Sequence, residues 1–351
     1  MGCFVGHVDN RADSMLSAGE RELLPRHCEL CPRRCGANRQ DGQVGACGAD
    51  DRLVLARAAL HEWEEPPISV GAGSGTVFFS NCPLRCVYCQ NAQIARGAHG
   101  TAVRPSRLTG IYHELREIGA ANVNLVTPTH YLPFVVRSIR DVREDGFDLP
   151  FICNTSGYET VQAVQTMDGL VDVYLTDFKY WRGEESDAAA RYSHAPDYFE
   201  VARSALSAMV QSVGTPQFDW WRVSGVKEDE ALSRTASVGT HDASVPDDSE
   251  ERLMKGVIVR HLMLPGRLED SKHIMAYLWA EYGDDVLYSV MSQYTPMGAF
   301  PQAPELNARV SKEDYERLLD YLDRLGMTEY YWQEGGAAEQ SFIPAFDSSG
   351  V

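Results

Sequence analysis

Short apolar runs alternate along the chain with segments whose apolar residues recur at helical spacing. Six runs of five to nine residues have the length and composition of buried strands: Thr76–Ser80, Asn122–Thr127, Pro150–Asn154, Val171–Asp177, Gly256–Leu264 and Val286–Ser292. Helical periodicity marks six further segments: Ser106–Gly119, Tyr131–Asp145, Glu159–Met167, Ala195–Val213, Asp270–Tyr282 and Ser311–Leu325. Strands that alternate with helices favour a parallel sheet with right-handed crossovers. The pattern therefore predicts an α/β fold, a partial (β/α)6 barrel of parallel strands.

The rest of the chain divides into flanking regions and one insertion. Residues 1–24 show no convincing pattern and predict a flexible N-terminus, residues 25–60 a small appended cysteine-rich knuckle, and residues 61–300 the barrel. Residues 301–351 predict a C-terminal helix and tail. Residues 217–254 interrupt the rhythm, because Lys227–Arg252 holds eight acidic and three basic residues and almost no large apolar ones. Such a composition cannot offset the entropy of ordering, which predicts a flexible insertion.

The charge balance restricts the class of partner. The chain has 50 acidic and 32 basic residues, a formal net charge of -18 over 351 residues. This excess argues against a nucleic-acid partner, because affinity for nucleic acid comes largely from Lys and Arg that neutralise phosphates. No apolar run approaches the roughly 20 residues that span a bilayer, and residues 1–17 lack a basic end followed by an apolar stretch. We therefore expect a cytoplasmic protein without a membrane partner.

Three cysteines directly follow the first predicted strand of the barrel. Cys82, Cys86 and Cys89 have the spacing C-x3-C-x2-C. A strand that ends in a tight loop can bring three thiolates to one point, whereas an iron–sulfur cube normally takes four. One iron would then stay open to a ligand from outside the protein. A structural zinc site fits less well, because such sites take four protein ligands and no fourth cysteine is close in the sequence.

A second set of cysteines lies in the Gly-rich knuckle. Cys28, Cys31, Cys35 and Cys47 have the spacing C-x2-C-x3-C-x11-C. Clustered cysteines in a long chain without a signal peptide indicate metal ligation rather than disulfides. Four thiolates can close a structural zinc site or hold a second iron–sulfur cluster, and the spacing leaves both alternatives open. Cys153 lies within a predicted strand, where a free cysteine is usually a core residue.

Polar residues recur at or just after the carboxyl ends of the predicted strands. In a parallel array these ends share one edge, where loops can converge on a ligand. His130 and His261 could serve as acid–base groups there, but a hydrogen-bonded structural role is the favoured interpretation. The polar stretches are Thr127–His130, Asn154–Tyr158, Asp177–Tyr180, Arg260–His261 and Ser292–Pro296.

Taken together, these segments resemble the radical S-adenosylmethionine superfamily, and within it the proteins related to pyruvate formate-lyase activating enzyme, over roughly residues 28–296. The likeness depends on the spacing of Cys82, Cys86 and Cys89 together with four stretches shared with an uncharacterised iron–sulfur branch of that family. Read without the resemblance, Glu65-Pro66-Pro67 simply ends an element before the first strand of the barrel. The four stretches are Cys31-Pro32-Arg33-Arg34-Cys35-Gly36, His61 with Glu64-Glu65-Pro66, Thr127-Pro128-Thr129-His130 and His261-Leu262-Met263-Leu264-Pro265-Gly266.

The resemblance implies that Cys82, Cys86 and Cys89 hold a 4Fe–4S cluster whose open iron binds the amino and carboxylate groups of S-adenosyl-L-methionine (SAM). In that family a Gly-Gly-Glu segment usually meets the methionine amino group, and its replacement here leaves this contact unassigned. The other residues that the resemblance places at the cofactor are Tyr88 near the adenine, Thr127 and Thr129 in place of Gly-Gly-Glu, Asn154, Ser156 and Asp177 at the ribose or methionine portion, Arg260 at the methionine carboxylate, and Lys179 at the amino-acid end or at a substrate peptide.

The implied activity is that of a radical SAM oxidoreductase, which cleaves the cofactor reductively and uses a 5'-deoxyadenosyl radical to abstract hydrogen. The leading specific activity is activation of a glycyl-radical enzyme, with flavodoxin or ferredoxin as reductant. One alternative is radical modification of another protein, peptide or small molecule. Another is a non-catalytic iron–sulfur electron carrier, which has no need for Asn154, Ser156, Asp177 and Arg260 to converge.

Overall fold

The structure is a computed structural model that describes residues 16–182, 187–222, 249–332 and 344–351. The strands in these ranges are β1 Leu53–His61, β2 Ser74–Phe79, β3 Thr101–Val103, β4 Val123–Val126, β5 Phe151–Thr155, β6 Val173–Asp177, β7 Gln217–Arg222, β8 Ser249–Leu262, β9 Leu287–Met291 and β10 Tyr331–Trp332. The helices are α1 Ala18–Glu22, α2 Ala92–Ala95, α3 Pro105–Glu117, α4 Leu132–Glu144, α5 Val161–Thr166, α6 Ala188–Ser193, α7 Tyr198–Val213, α8 Leu268–Tyr282 and α9 Lys312–Leu325. None of the helices described is both long and apolar enough to cross a membrane.

The six predicted strands of the barrel are confirmed as β2, β4, β5, β6, β8 and β9. They pair in chain order, and every one of these pairings is parallel. The six predicted helical segments are confirmed as α3, α4, α5, α7, α8 and α9. β1 and β3 add antiparallel strands beyond β2, and β10 adds a parallel strand beyond β9. The sheet is therefore mixed but largely parallel, and it is open, since β10 and β3 lie at opposite ends of the strand order.

The two faces of the sheet bury different sets of side chains, because successive residues of a strand point to opposite faces. Val123, Leu125, Phe151, Cys153 and Tyr174 belong to the main core with the helices, which we call the helix-side core. The residues between them point to the other face, which we call the inner face. A small apolar cluster lies on this inner face and consists of Ile68, Ile152, Val173, Leu175, Leu253 and Ile258.

The predicted flexible insertion is wrong at both ends. Residues 217–222 and 249–255 form an antiparallel pair between β7 and the first half of β8. Arg252 forms a 2.6 Å ion pair with Asp219 and stacks over the ring of Trp221 at 4.2 Å. The average composition of the insertion hides these cross-strand contacts, which stabilise a strand pair locally. The central residues, 223–248, lie outside the described ranges.

Both flanking regions contain ordered segments that the sequence pattern did not reveal. Ser17 and Glu20 form a capping box at the start of α1, an arrangement that satisfies two of the free amides at a helix N-terminus. Near the other end, the ring of Phe346 packs edge-on against Phe78 at 5.3 Å, and the amide of Ala58 donates to the carbonyl of Ser349. The predictions for residues 1–15 and 333–343 lie outside the described ranges.

The turn after β5 requires glycine at position 157. Gly157 has a φ of +76°, and a Cβ built on it would overlap the backbone carbonyl oxygen of Asp177 at the end of β6. We expect Gly157→Ala to lower the free energy of unfolding by more than about 2 kcal/mol, since left-handed backbone alone costs a non-glycine residue about 1 kcal/mol. Gly146→Ala is the matched control, because Gly146 has a φ of +80° and open space around it. Equal losses in urea unfolding would contradict the steric argument.

Candidate functional site

The loop that carries the three cysteines leaves β2 and is folded tightly. We call residues 80–91 the cysteine loop. Asn81 and Arg85 both have positive φ, 74° and 55°, conformations that reverse the chain within few residues. The amide of Asn81 donates to the carbonyl of Ile94 in α2 at 2.7 Å, and that of Val87 to the carbonyl of Tyr192 at 2.8 Å. The loop is therefore tied to two neighbouring elements.

The thiols of the cysteine loop are free and close enough to influence one another. The Cys86 thiol is buried and accepts a hydrogen bond from the hydroxyl of Ser193 at 3.0 Å, and the hydroxyl oxygen of Tyr180 lies 3.9 Å from the same sulphur. Burial, together with the neighbouring thiols, raises the pKa of Cys82 to about 11 and that of Cys89 to about 12. Backbone amides oppose this effect at both residues. Cys82 and Cys89 are therefore favoured as thiols, which would lose their protons on binding a metal.

Tyr88, predicted to lie near an adenine, is buried between aromatic rings. Its ring meets those of Tyr180, Tyr192 and Tyr294 edge-on at 6.0 to 6.5 Å. Its hydroxyl accepts a hydrogen bond from Tyr180 at 2.9 Å, and Tyr180 also contacts the Cys86 sulphur. Tyr88 thus helps to form an aromatic wall beside the cysteine loop.

Three of the predicted polar residues converge at the carboxyl ends of β5, β6 and β8. Arg260 donates from Nε to Asp177 at 2.9 Å and from Nη2 to Asn154 at 2.8 Å. Lys179 donates to the other oxygen of the same Asp177 carboxylate at 2.5 Å. Each strand residue of this set lies two positions after a member of the apolar cluster and so points to the inner face. The pairs are Asn154 after Ile152, Asp177 after Leu175 and Arg260 after Ile258. We call Asn154, Asp177, Lys179 and Arg260 the polar cluster.

Two carboxylates that sequence analysis did not assign to the site complete this arrangement. Glu64 and Glu65 lie in the connection from β1 to β2, and their oxygens approach Arg260 at 3.5 Å and 3.9 Å. Asn124 on β4 donates to Glu64 at 3.1 Å. The stretch Glu64-Glu65-Pro66 was visible in the sequence, but its periodicity could not show that the connection folds towards the inner face.

Burial and charge oppose each other in the polar cluster. Burial alone would raise the pKa of Asp177, but Arg260 and Lys179 hold it below its usual value. Burial raises the pKa of Glu65 to about 7, although Arg260 opposes the rise. The pKa of Glu64 is raised for the same reason. Asp177 is therefore ionised at neutral pH, whereas Glu65 gains and loses its proton close to neutral pH.

Thr127, Thr129 and Ser156, the other predicted cofactor contacts, lie beside the polar cluster and make contacts of their own. Thr127 has a φ of 59°, and its amide donates to the backbone carbonyl of Asn154 at 2.8 Å. The carbonyl of Ser156 accepts from the hydroxyl of Tyr198 at 2.7 Å. Thr129 is buried and hydrogen bonds to Glu159. None of these three contacts is with a side chain of the polar cluster.

The knuckle packs directly against the cysteine loop. Arg33 donates to the carbonyls of Pro83 and Leu84 in the loop, at 3.0 and 3.3 Å, and to that of Ser193 at 2.7 Å. In the opposite direction, Arg85 of the loop donates to the carbonyl of Ala46 at 3.3 Å. The knuckle therefore supports the loop and is not merely appended to it.

The four knuckle cysteines are free, and each sulphur accepts a hydrogen bond from a backbone amide two residues further along. The donors are Leu30 for Cys28, Arg33 for Cys31, Ala37 for Cys35 and Ala49 for Cys47. Gly45 fits between two of them, since a Cβ there would lie 3.4 Å from the Cys35 sulphur and 3.5 Å from that of Cys47. Amide donors stabilise thiolate charge, which is the chemistry that a metal-ligating set needs, and ligation of zinc or of a second iron–sulfur cluster by these four cysteines stays a prediction.

Glu159 is a buried carboxyl that sequence analysis missed. It is 6% exposed, and its Oε2 has no hydrogen-bond partner among the described residues. Burial raises its pKa to about 8, and it interacts electrostatically with Cys31 of the knuckle and Cys82 of the cysteine loop. In the sequence, an acidic residue just before a helix has the pattern of an ordinary exposed residue, so nothing marked Glu159 as buried.

His130 and His261 both have structural hydrogen bonds. His130 donates from Nε2 to the carbonyl of Ser80 at 2.7 Å, and burial lowers its pKa to about 3. His261 donates from Nδ1 to the carbonyl of Phe178 at 2.8 Å and accepts at Nε2 from Ser271 at 2.9 Å. Burial lowers the pKa of His261 to about 4. Both are neutral at neutral pH and position the chain at the ends of β2 and β6.

The side chains of the described residues do not form a site for a single metal ion. In the part of the chain that the structure describes, no three His, Cys, Asp or Glu side chains are grouped to hold a metal ion.

No protein-family model matches the chain. It is 25% identical over 315 residues to an uncharacterized protein of Methanocaldococcus jannaschii, an alignment that covers 87% of this chain and 77% of that protein. That similarity names no activity.

The buried, neutral His261 predicts a specific pH dependence of stability. Below pH 6.5 the unfolded chain binds a proton that the folded chain refuses until about pH 4, so the free energy of unfolding falls over this window. His261→Gln keeps a donor and an acceptor but does not titrate. We expect the stability advantage of the native protein over this variant to shrink by up to about 3 kcal/mol from pH 7 to pH 4. Exposed His99→Gln is the control, and an unchanged difference in urea unfolding at both pH values would contradict the assignment.

Proposed function

We propose that this chain is a radical SAM enzyme, in which Cys82, Cys86 and Cys89 ligate a 4Fe–4S cluster and the polar cluster binds the methionine part of SAM. One observation carries the proposal: Lys179 of the polar cluster interacts electrostatically with both Cys86 and Cys89. A three-thiol loop and two cationic side chains that share the Asp177 carboxylate therefore lie side by side at one edge of the sheet.

The thiols of the cysteine loop fit the proposed cluster in their chemistry. Iron–sulfur clusters are held by cysteine thiolates, and each thiolate binds its own iron, so the three sulphurs need not meet at a single ion. A hydroxyl donor at Cys86 and amide donors at Cys82 and Cys89 stabilise negative sulphur. Cys153 packs in the helix-side core, away from the inner face, and is not offered as a fourth ligand.

When bound, the cluster and SAM would supply reductive cleavage of the sulfonium and a 5'-deoxyadenosyl radical. The chain's own residues would bind and orient the cofactor. Arg260 and Lys179 present two cationic groups whose positions are held by Asp177, and an arginine has donors to spare for a carboxylate. The aromatic wall around Tyr88 restricts water beside Cys86.

The open, largely parallel sheet supports a finer description of the fold. Six parallel strands in chain order with helices on one face are what a partial (β/α)6 barrel contains, and Asn154, Asp177 and Arg260 emerge at the carboxyl ends of its strands. We therefore include the partial barrel in the proposal. In such folds the carboxyl ends are where ligands bind.

The contacts of the polar cluster favour an enzyme over an electron carrier. A carrier gains nothing from gathering Asn154, Asp177 and Arg260, whose direct hydrogen bonds join three strands. Activation of a glycyl-radical enzyme, with flavodoxin or ferredoxin as reductant, is the specific activity we propose on the resemblance of the sequence. Radical modification of another protein, peptide or small molecule is the alternative, because residues that bind a cofactor say little about its substrate.

Cys86→Ala tests the reaction. After anaerobic reconstitution with iron, sulfide and a low-potential reductant, the native chain should convert SAM to 5'-deoxyadenosine, and Cys86→Ala should form none above background, because one iron loses its ligand. Cys153→Ala, which removes a thiol from the helix-side core, is the matched control and should retain the activity. Chromatographic assay of 5'-deoxyadenosine is the measurement, and undiminished product in a folded Cys86→Ala would remove this cysteine from the mechanism.

Lys179→Met tests whether Lys179 contacts the amino-acid end of SAM. A charge-assisted hydrogen bond contributes roughly 1.5 to 3 kcal/mol, so we expect the KM for SAM to rise about tenfold or more while the iron content stays at the native level. Lys272→Met is the control, since Lys272 pairs with Glu269 on α8. A native KM for Lys179→Met would place the amino-acid end elsewhere.

A further inference from the structure

Two buried acceptor atoms next to the polar cluster lack a hydrogen-bond donor among the described residues. They are Oε2 of Glu65 and Oδ1 of Asn124. The side chain of Glu65 is 7% exposed and Asn124 is fully buried. Leaving a buried acceptor unpaired costs roughly 1 to 3 kcal/mol. Both residues contact Glu64, so two such atoms around one carboxylate indicate that this part of the inner face is built to receive donors.

The nearby cation does not meet this need. Arg260 approaches Glu64 and Glu65 at 3.5 and 3.9 Å, but its closest bonds, at 2.8 to 2.9 Å, go to Asn154 and Asp177. Lys179 is likewise committed to Asp177. Glu64 and Glu65 also share a side-chain hydrogen bond, but three carboxyl groups still share two cations, and Oε2 of Glu65 has no donor among the described residues.

The position of Asn124 on the sheet indicates what a ligand at this site would contact. Asn124 lies between Val123 and Leu125 of the helix-side core and so points to the inner face. Its neighbour across the pairing of β4 with β5 is Ile152, one member of the apolar cluster. Arg260 and Asp177 each keep 16% of their side chains accessible. A ligand at this site would therefore rest over an apolar floor, beside Arg260 and Asp177.

We propose that Glu64, Glu65 and Asn124 form the inner end of the substrate pocket and bind a primary ammonium group, so that the substrate is an amine. An alkylammonium has three donors and one positive charge, which matches the Glu64 carboxylate and the two unpaired acceptors. Arg260 and Asp177 separate this set from Lys179 and the cysteine loop, which assigns the ammonium to the substrate and not to SAM. The identification of the amine as a substrate rests on the proposed function. Binding of the ammonium group does not depend on catalysis and can be measured by itself.

Titration calorimetry of the reconstituted full chain with n-butylamine, n-butanol and butyrate at pH 7.5 tests this inference. We expect saturable binding of butylamine alone. Glu65→Gln, which keeps the size and removes the charge, should weaken the Kd for butylamine about tenfold or more. Glu62→Gln changes an exposed carboxylate of the same connection and should leave the Kd at its native value. Asn124→Leu, which removes one of the two acceptors, should also weaken binding, and the native chain alone still tests the inference if neither variant folds.

Three results would overturn the proposal: no binding of butylamine, equal binding of butanol, or an unchanged Kd in a folded Glu65→Gln. Competition between butylamine and SAM would overturn the assignment to a substrate, because the cofactor's own amino group would then occupy the site. Formation of 5'-deoxyadenosine without amine binding would refute this inference and leave the proposed function intact. Amine binding without 5'-deoxyadenosine would do the reverse.

Discussion

The carboxyl edge of the parallel sheet depends on one largely buried guanidinium, that of Arg260. Arg260 joins the ends of three strands through Asn154 and Asp177 and is the cation nearest to Glu64 and Glu65. Taking a charged group out of water costs several kcal/mol unless partners compensate it, so each of these side chains is tolerable inside the sheet only because the others are present. The same bonds hold β5, β6 and β8 in fixed relation at the edge where the loops emerge.

The cysteine loop depends on a different kind of support. Its own backbone turns through two residues with positive φ, Asn81 and Arg85, and the knuckle reaches across to bond its carbonyls through Arg33. Gly48 of the knuckle sits so close to the loop that a Cβ there would lie 2.7 Å from Oδ1 of Asn81. The two cysteine sets are separate in the sequence but are neighbours in the fold. The Glu159 carboxyl interacts electrostatically with a cysteine of each set.

The sequence was most informative where burial forces a pattern. Strands β4 to β6 are covered on both faces and so appear as apolar runs, and the carboxyl ends of parallel strands must share an edge, which is why Asn154, Asp177 and Arg260 could be expected together. Glu64 and Glu65 could not be foreseen, because a connection between antiparallel strands can fold to either face. The β7–β8 pair was missed because its contacts are between polar and aromatic residues such as Asp219, Trp221 and Arg252.

The hold of Arg33 on the cysteine loop involves only backbone carbonyls of that loop. Any amino acid provides a carbonyl, so replacements at positions 83 and 84 leave the acceptors in place as long as the turn persists. Position 33 has no such freedom, because no other residue type offers the same fork of donors. In related chains, positions 83 and 84, which accept the hydrogen bonds, should therefore vary in sequence. Position 33, which donates them, should stay arginine.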